Sequence, residues 1–152
     1  MTLPASFSRK DFGDDFSWGV VISAFQNEGA CDADGKGASI WDAFSARRGK
    51  IKDGTHAQQA CDFYVRYRED ILLAKQLGFT VFRFSISWPR ILPHGTGAVN
   101  QQGIDFYHKV IDTCLELGLT PYVTLYHWDL PQALEQKGGW CHRGLCLRSK
   151  TM

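Results

Sequence analysis

Three stretches dense in β-branched and aromatic residues recur along the chain, at positions 16–23, 80–87 and 120–127. Each reads as a buried strand. Between the first two, apolar or aromatic residues at Ala60, Tyr64, Tyr67, Ile71 and Ala74 step by four and three, tracing one face of a helix. Thr55 with Gln58 three residues on has the form of a capping box and predicts the helix start, and Gly78 suits its C′ position. A second helix is predicted over 101–117, with Ile104, Tyr107, Ile111 and Cys114 on one face, Asn100 as N-cap and Gly118 as stop. Residues 29–54 are glycine-rich and loop-like, with a short helical turn expected over 41–45.

The helix-to-strand junctions at 77–80 and 117–120 read Leu-Gly-Phe-Thr and Leu-Gly-Leu-Thr. Strand–helix–strand–helix–strand with a repeated junction marks a parallel α/β sheet. A closed barrel and an open doubly wound sheet both satisfy that pattern. No G-x-G-x-x-G follows the first strand, which counts against dinucleotide binding. The run Asp34-Gly35-Lys36-Gly37 lacks the glycine spacing of a phosphate loop and reads as a turn.

Composition narrows the class. The 152 residues carry a net charge of +1, so nothing points to nucleic acid or an anionic membrane as partner. No apolar run is long enough to span a bilayer, and the N-terminus lacks a secretion-signal core. Five cysteines, an odd number at irregular spacing, favour free thiols in a reducing cytoplasm over a disulfide framework. Cys141, His142 and Cys146 have no second ligand pair, so no metal and no cofactor is expected.

In parallel α/β folds, functional groups collect beyond the carboxyl ends of the strands. That rule selects Gln26, Asn27 and Glu28 after the first strand, Arg83 in the second followed by Ser87, Trp88, Pro89 and Arg90, and His127, Trp128 and Asp129 after the third. Amides and imidazoles beside indoles suit a sugar, whose hydroxyls take directional hydrogen bonds while its ring faces stack. A structural reading stands beside each: Gln26 holding a loop, His127 satisfied in the core, Trp128 packed. Arg83 shares a strand face with Ser85 and Ser87, and an inward-facing arginine needs a carboxylate partner. Glu28 and Asp129 could be paired as acid and nucleophile, but Glu28 falls in a loop entry and Asp129 in the turn Asp129-Leu130-Pro131, where capping backbone amides is the usual task.

The ordered motifs FSWGVVISAFQNEG at 16–29, DGKGASIWD at 34–42, FRFSISWPR at 82–90, VTLYHWDLP at 123–131 and GGW at 138–140 resemble the N-terminal part of glycoside hydrolase family 1, retaining β-glycosidases built on a (β/α)₈ TIM barrel. Val21 departs from the small residue the family prefers there. The resemblance covers about 16–140 and implies the first three βα units of that barrel. It also implies that Gln26 and His127 bind hydroxyls of the terminal sugar of a β-glycoside, that Trp128 lines its pocket, and that Arg83 sits beside the nucleophilic carboxylate and keeps it ionised. Glu28 and Asp129 become structural. Family members use two Glu residues about 5–5.5 Å apart, in an Asn-Glu-Pro and a Glu-Asn-Gly segment. Neither segment occurs in the 152 residues. The expectation is therefore part of a sugar pocket without the catalytic carboxylates, acting within a β-glucosidase-like exo-hydrolase or surviving as an inactive fragment that binds sugar weakly. Glucosides are the expected substrates, with galactosides, fucosides and 6-phospho-glycosides as alternatives.

Residues 1–140 are thus read as barrel and 141–152 as an unrelated tail, truncated or frameshifted. The tail carries three basic residues and no acid, with no sustained helical face expected.

Overall fold

The computed structural model describes residues 8–148. Its sheet has three parallel strands in the order β1 (Gly19–Val21), β2 (Val81–Ser85), β3 (Thr120–Thr124). Gly19 pairs with Val81 and Val81 with Thr120, so the strands start level. Each strand is shorter than its hydrophobic stretch. Ahead of β1, Phe16 and Trp18 turn aside to pack with Phe12, and beyond it the chain enters a helical turn, α1 (Ala24–Asn27). Past β2, Ser87 opens α4 (Trp88–Ile91), whose Pro89 needs no helical N–H partner so near the start.

Within the 29–54 loop, α2 (Ile40–Ser45) begins at a true capping box. The Ser39 hydroxyl accepts from the Asp42 backbone N–H, and the Asp42 carboxylate accepts from the Ser39 N–H. The capping box expected at Thr55 does not form. Thr55 instead donates to the Asp53 carboxylate, and the helix α3 spans Phe63–Gln76. Ala60 (φ 48°) and Asp62 (φ 59°) are left-handed, a conformation that no right-handed helix can contain. The face expected from Tyr64, Tyr67, Ile71 and Ala74 does turn inward.

The second helix, α5 (Gln101–Glu116), ends within a residue of expectation. Asn100 precedes it, but its side chain does not cap. Its Nδ2 donates to the Asp34 and Arg90 carbonyls, tying two loops together. The α5 face includes Gly103, where an added Cβ would run into the Arg90 carbonyl, so only glycine lets α5 approach α4 this closely.

Helices α3 and α5 cover the β2 face bearing Phe82 and Phe84. Together they form a core with Phe63, Ile71, Phe106, Tyr107, Val110, Cys114 and Leu119. A second cluster, Trp88, Leu92, Leu130, Leu134 and Leu145, gathers α4, α6 (Gln132–Glu135) and α7 (Arg143–Arg148). The tail was expected to have no helical face, yet 143–148 is helical and Leu145 is buried. Its two cysteine-centred residues Cys141 and His142 are exposed, and the side chain of Cys146 lies outside the described set. No described helix is long and apolar enough to cross a membrane.

Candidate active site

The sheet's chemistry lies past its carboxyl edge. β1 leads directly into α1, which carries Gln26 on its exposed side, with Oε1 accepting from the Ser23 hydroxyl at 2.6 Å. Arg83 projects from β2 on the face opposite Phe82 and Phe84, between Val21 and Tyr122 in register. Its Nε donates to Thr124 Oγ1 at 2.8 Å. The carboxylate partner expected for Arg83 is not among the ion pairs of the described residues. The guanidinium is only partly buried, so water shares its solvation.

After β3 come His127 and Trp128, their rings 5.1 Å apart. Trp128 has φ 71° and is 66% exposed. A left-handed backbone at a bulky residue is strained, and such strain tends to be held where side-chain direction matters. Gln26, Arg83, His127 and Trp128 thus all lie on or just beyond consecutive parallel strands.

Beneath this edge sits a buried ionic network that the sequence pattern did not show. Arg90 is fully enclosed, and its Nε donates to Glu28 Oε2 at 3.0 Å. Its Nη2 reaches the Gly29 and Ala30 carbonyls, and the guanidinium stacks over Tyr64, 4.1 Å from the ring centroid. The Tyr107 hydroxyl donates to Glu28 Oε1 at 2.6 Å and accepts from the Ser87 N–H. Burial pushes the Glu28 carboxyl up, while Arg90 and Tyr107 pull it back toward ionisation. Glu28 therefore ties two side chains from distant parts of the chain together and caps no backbone amide among the described residues.

Asp129 is different from its expectation. It is enclosed, and neither carboxylate oxygen has a hydrogen-bond partner, so it caps no backbone amide. Burial pushes its carboxyl up to about 6, and Glu28 adds to that, while nearby Ser87 and Lys36 oppose it. The two residues that follow explain the enclosure: the Leu130 carbonyl accepts from Ile40 N–H, and Pro131 bridges to Ser39, pulling the turn inside. In the sequence, Glu28 and Arg90 stand out only by following strands and by standing at or next to the ends of the FSWGVVISAFQNEG and FRFSISWPR motifs, and nothing there pairs them. No three His, Cys, Asp or Glu side chains converge on a metal position among the described residues.

Parallel βα units with polar and indole side chains past the strand ends define a parallel α/β protein with its chemistry at the carboxyl edge of the sheet. The chain belongs to glycosyl hydrolase family 1, whose model matches residues 8–148. It is 56% identical over 134 residues to β-glucosidase A of Thermotoga maritima, covering 88% of this chain and 30% of that protein. β-Glucosidase A of Acetivibrio thermocellus is 54% identical over 136 residues, 90% of this chain and 30% of that one. Among solved structures, the rice Os3BGlu6 β-glucosidase E178Q mutant in covalent complex with Glc superposes with TM-score 0.87 at 51% identity, over 89% of this chain and 28% of that one. The T. maritima β-glucosidase in complex with deoxynojirimycin gives TM-score 0.86 at 55% identity, over 88% and 30%. The chain thus spans about a third of the length of these relatives, and its three strands match the N-terminal part of their TIM barrel.

Proposed function

We propose that these residues form part of the glycone pocket of a retaining, exo-acting β-glycosidase with β-glucosides as its substrates. Gln26 and His127 hydrogen-bond the hydroxyls of the terminal sugar, Trp128 lines the pocket, and Arg83 orients and ionises the nucleophilic carboxylate. The observation that carries this reading is the gathering of all four at the carboxyl edge of consecutive parallel strands. It is supported by the β-glucosidases that the chain resembles over nearly its whole length. The free thiols of Cys31, Cys61, Cys114 and Cys141 fit a reducing cytoplasm.

A second reading rests on one observation: the 152 residues hold neither Asn-Glu-Pro nor Glu-Asn-Gly. On that reading the chain by itself binds sugar weakly and hydrolyses nothing. Incubating the chain with 4-nitrophenyl β-D-glucoside and titrating it with deoxynojirimycin tests both readings. Weak deoxynojirimycin binding, lost in Gln26→Ala and His127→Ala, supports the pocket. Binding indifferent to both substitutions overturns it. Turnover abolished by Glu28→Gln or Asp129→Asn would make those carboxylates catalytic and remove their structural assignment.

A further inference from the structure

Residues 46–56, the first part of the segment between α2 and α3, carry four cations, Arg47, Arg48, Lys50 and Lys52, against one acid, Asp53. The rest of the chain is close to neutral, so this is its most concentrated charge. None of the four enters an ion pair among the described residues. Arg47 and Arg48 line a cleft of about 460 Å³ together with His56. The one acid on its wall, Asp42, is already engaged by the Lys36 ammonium at 2.9 Å and by Ser39. Asp53 is occupied by Thr55.

A second cleft, of about 320 Å³, shares Ser45, Ile51, His56 and Ala57 with it and is lined also by Gln26. The second cleft is lined by Phe25 and Trp41, whose rings are 6.0 Å apart, and Phe44 stands edge-on to Trp41 at 5.5 Å. Two adjoining clefts thus place the Gln26 amide and an aromatic pair in one, and two guanidinium groups outside any ion pair of the described residues in the other.

Resting on the glycone assignment of Gln26, we infer that Arg47 and Arg48 form an aglycone subsite for glycosides whose leaving group is aromatic and carries a carboxylate. The glycone end holds the sugar, the Phe25–Trp41 platform takes the aryl ring, and the arginines pair with the anion. Arginine presents a planar donor fork matched to a carboxylate, which a solvated lysine on the same loop does not. The site is open to water, so the attraction is modest and falls with salt.

The test compares phenyl β-D-glucoside, 4-carboxyphenyl β-D-glucoside and benzoate by ligand-observed NMR titration of the full chain at low ionic strength. The carboxyphenyl glucoside is expected to bind about fivefold more tightly than the phenyl glucoside, a contribution typical of partly exposed charge pairs. The preference should vanish in Arg47→Ala/Arg48→Ala and at 0.5 M salt, while phenyl glucoside affinity stays unchanged. Arg47→Lys/Arg48→Lys, which keeps the charge and the loop, should retain part of the preference. Equal affinity of the two glucosides, or a preference that survives the double alanine variant, overturns the subsite and leaves the glycone reading intact. Arginine-dependent benzoate binding without binding of either glucoside keeps the anion site and overturns the glycone reading. No binding of any of the three overturns both.

Discussion

Arg90 Nε lies 3.0 Å from Glu28 Oε2, and both side chains are closed off from solvent. They come from α4 and from the turn after α1, 62 residues apart in sequence, so the pair clasps the first two βα units together. The Tyr107 hydroxyl on the other carboxylate oxygen brings in α5.

Removing one member leaves the other as an uncompensated buried charge. Arg90→Met is expected to cost about 3–5 kcal/mol, comparable to the whole stability of a small domain. The variant should unfold at a markedly lower urea midpoint, followed by near-ultraviolet circular dichroism. The double variant Glu28→Met/Arg90→Met should recover part of the loss, because no charge is then stranded. A double variant as unstable as the sum of the two single ones would show that the pair is not coupled.

Asp129 gives a pH dependence of definite sign. Its folded value of about 6 lies above that of an unfolded aspartate, roughly 3.9. The folded state therefore binds the proton more tightly, and this group favours folding most below about pH 4. As pH rises through 6 the fold loses about 3 kcal/mol on its account. Glu28 is shifted in the same direction. Asp129→Asn should flatten the fall in urea midpoint between pH 4 and 7 relative to the wild type. An unchanged slope would mean that Asp129 does not carry the buried proton.

Gly103 is expected to tolerate no side chain. Its missing Cβ faces the Arg90 carbonyl, and backbone cannot yield as a flexible side chain can. Gly103→Ala should cost about 1–3 kcal/mol through overpacking, despite the better helix propensity of alanine. Gln102→Ala, on the exposed side of the same helix, is the control and should be near neutral in the same denaturation assay.

The open sheet makes a further prediction. β1 and β3 each pair on one side only among the described residues, and Val21, Tyr122, Val123 and Leu125 are exposed along the sheet. Val65, Leu72, Leu73 and Leu77 are exposed on and just after α3. Free edges and apolar faces of this kind promote association. Sedimentation velocity on the 152-residue chain should show self-association that grows with concentration, and the fold should melt at low temperature. A monomer with a sharp, high-temperature transition would refute this.

Much of the architecture was readable from spacing. The α5 face, the glycine stops at Gly78 (φ 81°) and Gly118 (φ 68°), and the inward side of α3 follow from a helical period and from which residues accept a left-handed turn. The start of α3 was not readable, because Thr55 and Gln58 make a plausible cap locally. The left-handed Ala60 and Asp62, set by packing around Gly29 and Gln59, overrule it. The site residues Gln26, Arg83, His127 and Trp128 could be picked out by their positions after strands and by a family pattern. Arg90, in the same motif as Arg83, gave no local sign that it is the enclosed one.

By itself, then, the sequence determined the alternation of strands and helices, the family, and which polar groups follow each strand. Those properties depend on periodicity and on neighbours a few residues away. Only the tertiary structure decided that Glu28, Arg90 and Tyr107 share one buried network, that Asp129 is enclosed without a partner, and that the cleft of Arg47 and Arg48 adjoins the one lined by Gln26. Burial and electrostatic pairing are properties of surfaces brought together from distant parts of the chain, and no local pattern of residues encodes them.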